Sequence, residues 1–272
     1  MRTAVSGLDL RRATSLDDAL RLLCDEARTP IAGATDLYVS LNFGTLAPRR
    51  FVDLWGIDEL RGISVRDDVL VLGALTTYTT IIRSPIVAER LPMLIEAARQ
   101  IGGPQIQNRG TIAGNVANAS PAADSVPVFA AADAVIVLKS TNHERRVPIT
   151  QFYTGYRTSL MRADELIVAV EVPRVDGRQW FRKVGTRAAQ AISKIVVAGV
   201  RGPAPRLALG SVAPTVVRAF ATERALAGGA PIEQAALTLR REIAPIDDVR
   251  SSAEYRLHVA ERLLHRFWSE TS

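Results

Sequence analysis

Residues 108–124 read Asn108-Arg109-Gly110-Thr111-Ile112-Ala113-Gly114-Asn115-Val116-Ala117-Asn118-Ala119-Ser120-Pro121-Ala122-Ala123-Asp124. This glycine-, asparagine- and alanine-rich stretch matches neither helical nor strand periodicity, so an irregular segment is expected. A compact domain rarely keeps so long an irregular stretch without a use for it. Its small side chains permit close approach of a ligand. Thr111, Asn115, Asn118 and Ser120 offer uncharged hydrogen bonds, and Asp124 adds an acceptor suited to hydroxyls. A structural loop whose asparagines bond their own backbone is the competing reading.

A second small-residue turn lies upstream, at Ala32-Gly33-Ala34-Thr35-Asp36-Leu37. A brief apolar strand precedes it and a helical pattern follows from Asp36. Backbone N–H groups in such a turn are unobstructed, and a helix start behind them favours an anion. The turn matches neither the dinucleotide fingerprint nor the P-loop, and by itself it reads more readily as an ordinary tight turn.

The surrounding chain sets the class. It has 272 residues, 47% hydrophobic and 23% charged, which suffices for one large domain or two ordinary ones with a real core and excludes bulk disorder. Thr14 to Ala27 reads as an amphipathic helix capped by Ser15. Arg50 to Asp53, Val69 to Leu75, Ala134 to Leu138 and Glu165 to Val172 read as strands, and Thr76 to Ile82 and Leu91 to Ile101 as helices. The texture changes near Pro173. Strands are expected at Trp180 to Gly185, Lys194 to Val200 and Arg206 to Val212. Helices follow at about Thr215 to Ala227, Pro231 to Ile243 and Ser252 to Trp268, the last opened by a capping box at Ser251 and Glu254. The fold class is α+β in two parts, because strands and helices do not alternate as a doubly wound sheet requires.

Several functions are excluded or disfavoured. The single cysteine, Cys24, makes no internal disulfide and cannot hold an iron–sulfur cluster. His143, His258 and His265 lack metal-ligand spacing. No nucleophile elbow occurs and no triad can be assembled, so any reaction would be carried by a bound cofactor. The formal charge of +6 comes from arginines set singly or in isolated pairs with acidic neighbours, which argues against nucleic acid. No apolar run reaches the length of a membrane span, and Met1 to Arg12 lacks the apolar core of a secretory signal. A cytoplasmic location is therefore expected.

At these residues the chain resembles the FAD-binding (medium) subunit of the molybdenum hydroxylases, the group that includes xanthine dehydrogenase and aerobic carbon monoxide dehydrogenase. Ala32 to Leu37 matches the family's first flavin loop and Thr111 to Asp124 its second. Lys183 to Arg187, continuing through Ala191 to Lys194, resembles its KVGxRxAxAIS segment. Leu209 to Thr215, Arg218, Ala225 to Gly228 and Ser252 to Arg256 resemble its C-terminal domain.

The resemblance implies a two-subdomain FAD-binding domain of the vanillyl-alcohol-oxidase type over 1–173, divided near residue 55. A small C-terminal domain of a three-stranded sheet with a helical bundle would occupy 174–272. It implies FAD as cofactor. Ala32, Gly33, Ala34, Thr35, Asp36 and Leu37 would hold the pyrophosphate. Gly110, Thr111, Gly114, Asn115, Ala117 and Asn118 would line the pyrophosphate, ribityl and ring, with Ile106 also at the cofactor. Asp124 would bond ribityl or ring groups, Leu166 and Ile167 would pack near the flavin and adenine, and Lys183 would approach from the C-terminal domain. The implied partners are a molybdopterin-binding large subunit and a [2Fe-2S] small subunit. FAD would pass their electrons to NAD, oxygen or a quinone. Ala34 and Ala113 stand where the family commonly has glycine; a positive φ at either would strain the chain by about 1 kcal/mol. A stand-alone flavoenzyme and a flavin-free scaffold remain as alternatives.

Overall fold

The computed structural model describes residues 4–188 and 190–272, so the first three residues of the Met1–Arg12 stretch and Ala189 of the 183–194 motif lie outside the described residues. The chain is built as three successive modules, each around its own sheet. The first contains β1 (Asp9–Arg12), α1 (Leu16–Asp25), β2 (Thr29–Ile31), α2 (Leu37–Phe43) and β3 (Arg50–Asp53). Its strands run parallel in the order β1-β3-β2. Ser15 caps α1 by accepting the Asp18 amide, and Ala19, Leu20 and Leu23 bury one stripe of that helix against Val52, Leu54 and Leu60. The cap and the apolar spacing fall where the sequence puts them.

The second module opens with β4 (Ile63–Arg66) and β5 (Val69–Gly73). Six short helices follow: α3 (Tyr78–Ile82), α4 (Pro85–Arg90), α5 (Pro92–Arg99), α6 (Pro104–Gln107), α7 (Ile112–Asn118) and α8 (Ser125–Ala131). It closes with β6 (Val135–Lys139), β7 (Glu144–Pro148), α9 (Ile149–Phe152), the hairpin β8 (Tyr153–Gly155) and β9 (Thr158–Ser159), and β10 (Leu166–Val172). The main sheet is antiparallel in the order β4-β5-β10-β6-β7, with a register shift in β10 between Ile167 and Ala169.

The third module pairs β11 (Arg178–Val184), β12 (Ile195–Arg201) and β13 (Arg206–Gly210) as long antiparallel strands, with a two-residue β14 (Val217–Arg218) added at the edge. Helices α10 (Phe220–Ala227), α11 (Ile232–Glu242) and α12 (Ala253–Glu270) pack on one face. On β12, Ile195 and Val197 join the core under these helices, whereas Val196, Ala198 and Val200 join the core of the second module. Both faces of the strand are covered, which is why it reads as a continuous apolar run. Gly199 has no room for a side chain, because a Cβ there would lie 2.7 Å from the Phe267 ring.

Three expectations are corrected. Residues 112–118 are helical: Thr111 caps the segment by accepting the Gly114 amide, and Ile112 and Val116, one turn apart, are fully buried. Ala119, at φ 50°, ends the helix in the conformation glycine usually supplies. The helix expected from about Thr215 begins instead at Phe220, because Val217 and Arg218 extend along β13 and Arg218 is tied to Glu223, Asp133 and the Ala130 carbonyl. Finally, Ser252 caps α12, accepting from the Tyr255 amide. Ser251 is held one residue earlier in a turn whose amide donates to Asp248. Among the described residues, no helix is long and apolar enough to cross a membrane.

Candidate functional site

The loop after β2 turns sharply between Ile31 and Leu37. Ala34 sits at φ 60°, and its carbonyl accepts the Tyr38 amide at 3.0 Å, fixing the turn against the start of α2. Among the described residues, the amides of Gly33, Ala34, Thr35 and Asp36 donate to no acceptor in the chain. Gly33 is required sterically: a Cβ there would lie 1.7 Å from the Arg109 carbonyl oxygen. The two small-residue segments found in the sequence are therefore in backbone contact at this point.

The second segment is threaded along the second module. The Tyr78 amide donates to the Gly110 carbonyl at 3.3 Å, Ile112 to Thr76 at 3.0 Å and Ala113 to Ala74 at 3.1 Å. Ser125 Oγ donates to Asn115 Oδ1 at 2.8 Å and lies 3.1 Å from the Tyr78 hydroxyl, which orients the Asn115 amide. Burial pushes the Tyr78 hydroxyl well above its ordinary pKa, so it acts as a neutral donor or acceptor. Asn118 Nδ2 donates to Asp36 Oδ1 at 3.3 Å, while Asn118 Oδ1 accepts from Arg157 at 2.8 Å. Ala113 lies within α7 and carries no positive φ, so of the two glycine-to-alanine departures only Ala34 is strained.

Between the two segments lies a cleft of about 480 Å3. Ala32, Gly33, Ala34, Thr35, Asp36 and Leu37 line one side, and Ile106, Gly110, Thr111, Gly114, Asn115, Ala117 and Asn118 the other. The structure adds residues that sequence reading missed: Thr29, Pro30, Ile31, Val39, Ser40, Leu46, Pro48, Phe51, Tyr78 and Ile101. Ile31 and Phe51 were legible as strand residues but not as cleft walls, since the pairing of β2 with β3 brings them there. Tyr78 carries no local signal; its place follows from its bonds to Gly110 and Ser125.

Asp124, Leu166, Ile167 and Lys183 lie outside this cleft. Asp124 and Lys183 form a nearly buried ion pair at 2.6 Å across the second and third modules. Lys183 Nζ also donates to the Gln100 carbonyl at 3.1 Å, and Ser193 donates to the other Asp124 oxygen. Burial raises the Asp124 pKa above the usual carboxylate range, against the opposing pull of Lys183 and Ser193. Leu166 packs into the core of the first module and Ile167 into that of the second, each almost fully buried. Among the described residues, no cluster of histidine, cysteine and carboxylates suits a metal.

Among the described residues, no lysine or arginine lines the cleft, so the free backbone amides, with hydroxyl and amide side chains beside them, are its donors for an anion. Apolar walls at Ile31, Leu37, Leu46, Phe51, Ile101 and Ile106 provide flat packing surface. That combination fits a dinucleotide, whose diphosphate needs converging N–H groups and whose rings need apolar cover.

Comparison with known proteins agrees. Residues 6–175 match the FAD binding domain in molybdopterin dehydrogenase, and residues 180–271 match the CO dehydrogenase flavoprotein C-terminal domain. The xanthine dehydrogenase FAD-binding subunit of Escherichia coli O157:H7 is 34% identical, over 95% of this chain and 94% of the relative. The carbon monoxide dehydrogenase medium chain of Hydrogenophaga pseudoflava is 33% identical over 87% of this chain and 86% of that one. A solved structure of the H. pseudoflava carbon monoxide dehydrogenase contains a chain that superposes with a TM-score of 0.89 at 31% identity, covering 97% of this chain and 98% of its own. One in quinoline 2-oxidoreductase from Pseudomonas putida 86 gives 0.92 at 26% identity, covering 100% and 98%. The α+β fold, the free-amide cleft and these matches converge: the chain belongs to the family of FAD-binding subunits of the molybdenum hydroxylases, and it is an oxidoreductase subunit whose cofactor is FAD.

Proposed function

We propose that this chain is the electron-transfer subunit of a molybdenum hydroxylase complex, standing between the iron–sulfur clusters of a small subunit and an external acceptor such as NAD, oxygen or a quinone. A molybdopterin-binding large subunit would oxidise the substrate. The observation that carries the reading is the loop of unpaired amides, Gly33 to Asp36, lining a cleft with no basic side chain among the described residues. Relatives named as medium chains of dehydrogenases support the complex.

The residues lining the cleft on both loops would hold the cofactor. The amides of 33–36 would bind the diphosphate, and the hydroxyl of Thr111 and the amides of Asn115 and Asn118 would meet its polar groups. Ile106 and Leu37 would pack on its rings. Bound there, FAD supplies reversible two-electron chemistry that can be loaded one electron at a time. Asp124, Lys183, Leu166 and Ile167 would act as supports outside the cleft, with the Asp124–Lys183 pair joining the two parts of the protein. We further propose domain limits of 1–173, divided near residue 55, and 174–272. The change of sheet between β10 and β11 supports this division.

The test is the visible spectrum of the purified chain after incubation with FAD and desalting, repeated on the complex formed with candidate large and small subunits. A retained flavin band that dithionite bleaches, and that reduced iron–sulfur partner also bleaches, is the expected result. A chain that stays colourless both alone and in complex would overturn the reading.

A further inference from the structure

Two residues outside the cleft meet across its two sides. Arg109 precedes the second flavin loop directly, and its carbonyl oxygen rests against Gly33 so closely that only glycine fits. Its side chain departs toward the first module, where the guanidinium lies over the Trp55 ring, 3.6 Å from the centroid. Trp55 follows β3, the central strand of the sheet that also carries the first flavin loop. The indole is itself fixed. Its amide donates to Asp53 at 2.9 Å, Arg61 lies 4.7 Å from the ring centroid, and Arg61 also donates to the Trp55 carbonyl. Neither Arg109 nor Trp55 lines the cleft.

The remaining hydrogen bonds at the start of the second loop stay within the second module: Gly110 donates to Ile106 and accepts from Tyr78. Arg109 is thus the point at which this end of the loop is tied to the first module. The opposite end is tied by the Asn118–Asp36 hydrogen bond. A guanidinium stacked on an indole is a directional contact that keeps a measurable attraction at an exposed site.

We propose that Arg109, stacked on Trp55, is a positioning residue that sets the spacing of the two flavin-binding loops and thereby the affinity for FAD; this rests on the assignment of the cleft to FAD. Loss of the stack leaves the cleft lining chemically intact but unties one of its edges.

The experiment is a fluorescence titration of the flavin-free full chain with FAD, together with thermal unfolding with and without FAD, for the wild type and for Arg109→Ala, Arg109→Lys and Trp55→Leu. Arg109→Ala and Trp55→Leu should each weaken FAD binding by about two- to thirty-fold. The double variant should be little worse than either, because both remove one contact. Arg109→Lys, which keeps a cation but loses the planar guanidinium that stacks, should recover only part of the affinity lost in Arg109→Ala. The unfolding midpoint with FAD should fall more than the midpoint without it. FAD affinity unchanged in Arg109→Ala, or midpoints that fall equally with and without FAD, would overturn the positioning role while leaving the cofactor assignment standing. A wild-type chain that binds no FAD would overturn both.

Discussion

At the scale of single residues, the first flavin loop depends on two neighbours with opposite demands. Gly33 has no space for a methyl group, since the obstruction is a backbone carbonyl that cannot swing aside. Gly33→Ala should push the loops apart and abolish FAD retention on desalting; full retention would show that the Arg109 contact is not obligatory. Ala34 presents the reverse case. It holds a left-handed φ of 60° that costs an L-residue about 1–2 kcal/mol and a glycine almost nothing. Part of that gain is offset by the greater freedom of glycine in the unfolded chain. Ala34→Gly should therefore stabilise the protein by roughly 0.5–1 kcal/mol, read as a rise of about 1–2 °C in the unfolding midpoint. An unchanged midpoint would mean the turn accommodates alanine without strain.

At the scale of elements, capping decides where helices begin. The serine pair before α12 offers two caps, and the structure uses the second. Ser252→Ala should cost about 1 kcal/mol in a denaturant titration, whereas Ser251→Ala should stay within a few tenths, because the turn at Ser251 is made by its backbone. Equal effects would return the cap to Ser251. The same physics explains why α7 was not legible. Its seven residues include only Ile112 and Val116 as large apolar side chains, too few to establish a period, and its end is an alanine rather than a glycine. Burial by neighbouring elements, rather than propensity, makes the segment helical. By contrast, α1 and most strands were read to within a residue or two, since each carries its own periodicity or cap.

At the scale of the whole molecule, long-range ion pairs stitch distant segments together. Glu165, fully buried between β9 and β10, accepts two bonds from Arg145 of β7, at 2.6 and 2.8 Å, and one from the Arg162 amide at 2.8 Å. Burial alone would raise its pKa, but these donors prevail and bring it down to about 2 from 4.5. A carboxylate with a depressed folded pKa adds stability that is fully present above its unfolded pKa and is lost as pH falls through the folded one. The protein should therefore lose stability, on the order of 3 kcal/mol from this group, as pH drops from about 4.5 toward 2. The loss should be shallower in Glu165→Gln. An identical acid limb in the variant would remove Glu165 as its source. The modules are also joined by shared burial: Phe181, Val196, Ala198, Val200 and Ala208 of the C-terminal sheet complete the core of the second module.

The sequence by itself determined the α+β class, most strands and helices, and the two loops that line the cleft, because each is written in local spacing or in runs of small residues that leave the backbone open to close approach. Tertiary structure alone decided the rest. It brought Gly33 against Arg109, set Tyr78 behind Asn115, and paired Asp124 with Lys183 outside the cleft, contacts between residues far apart in the chain that no local pattern encodes. It also decided which alanine bears strain, since φ is set by how the turn must close and not by the residue that occupies it.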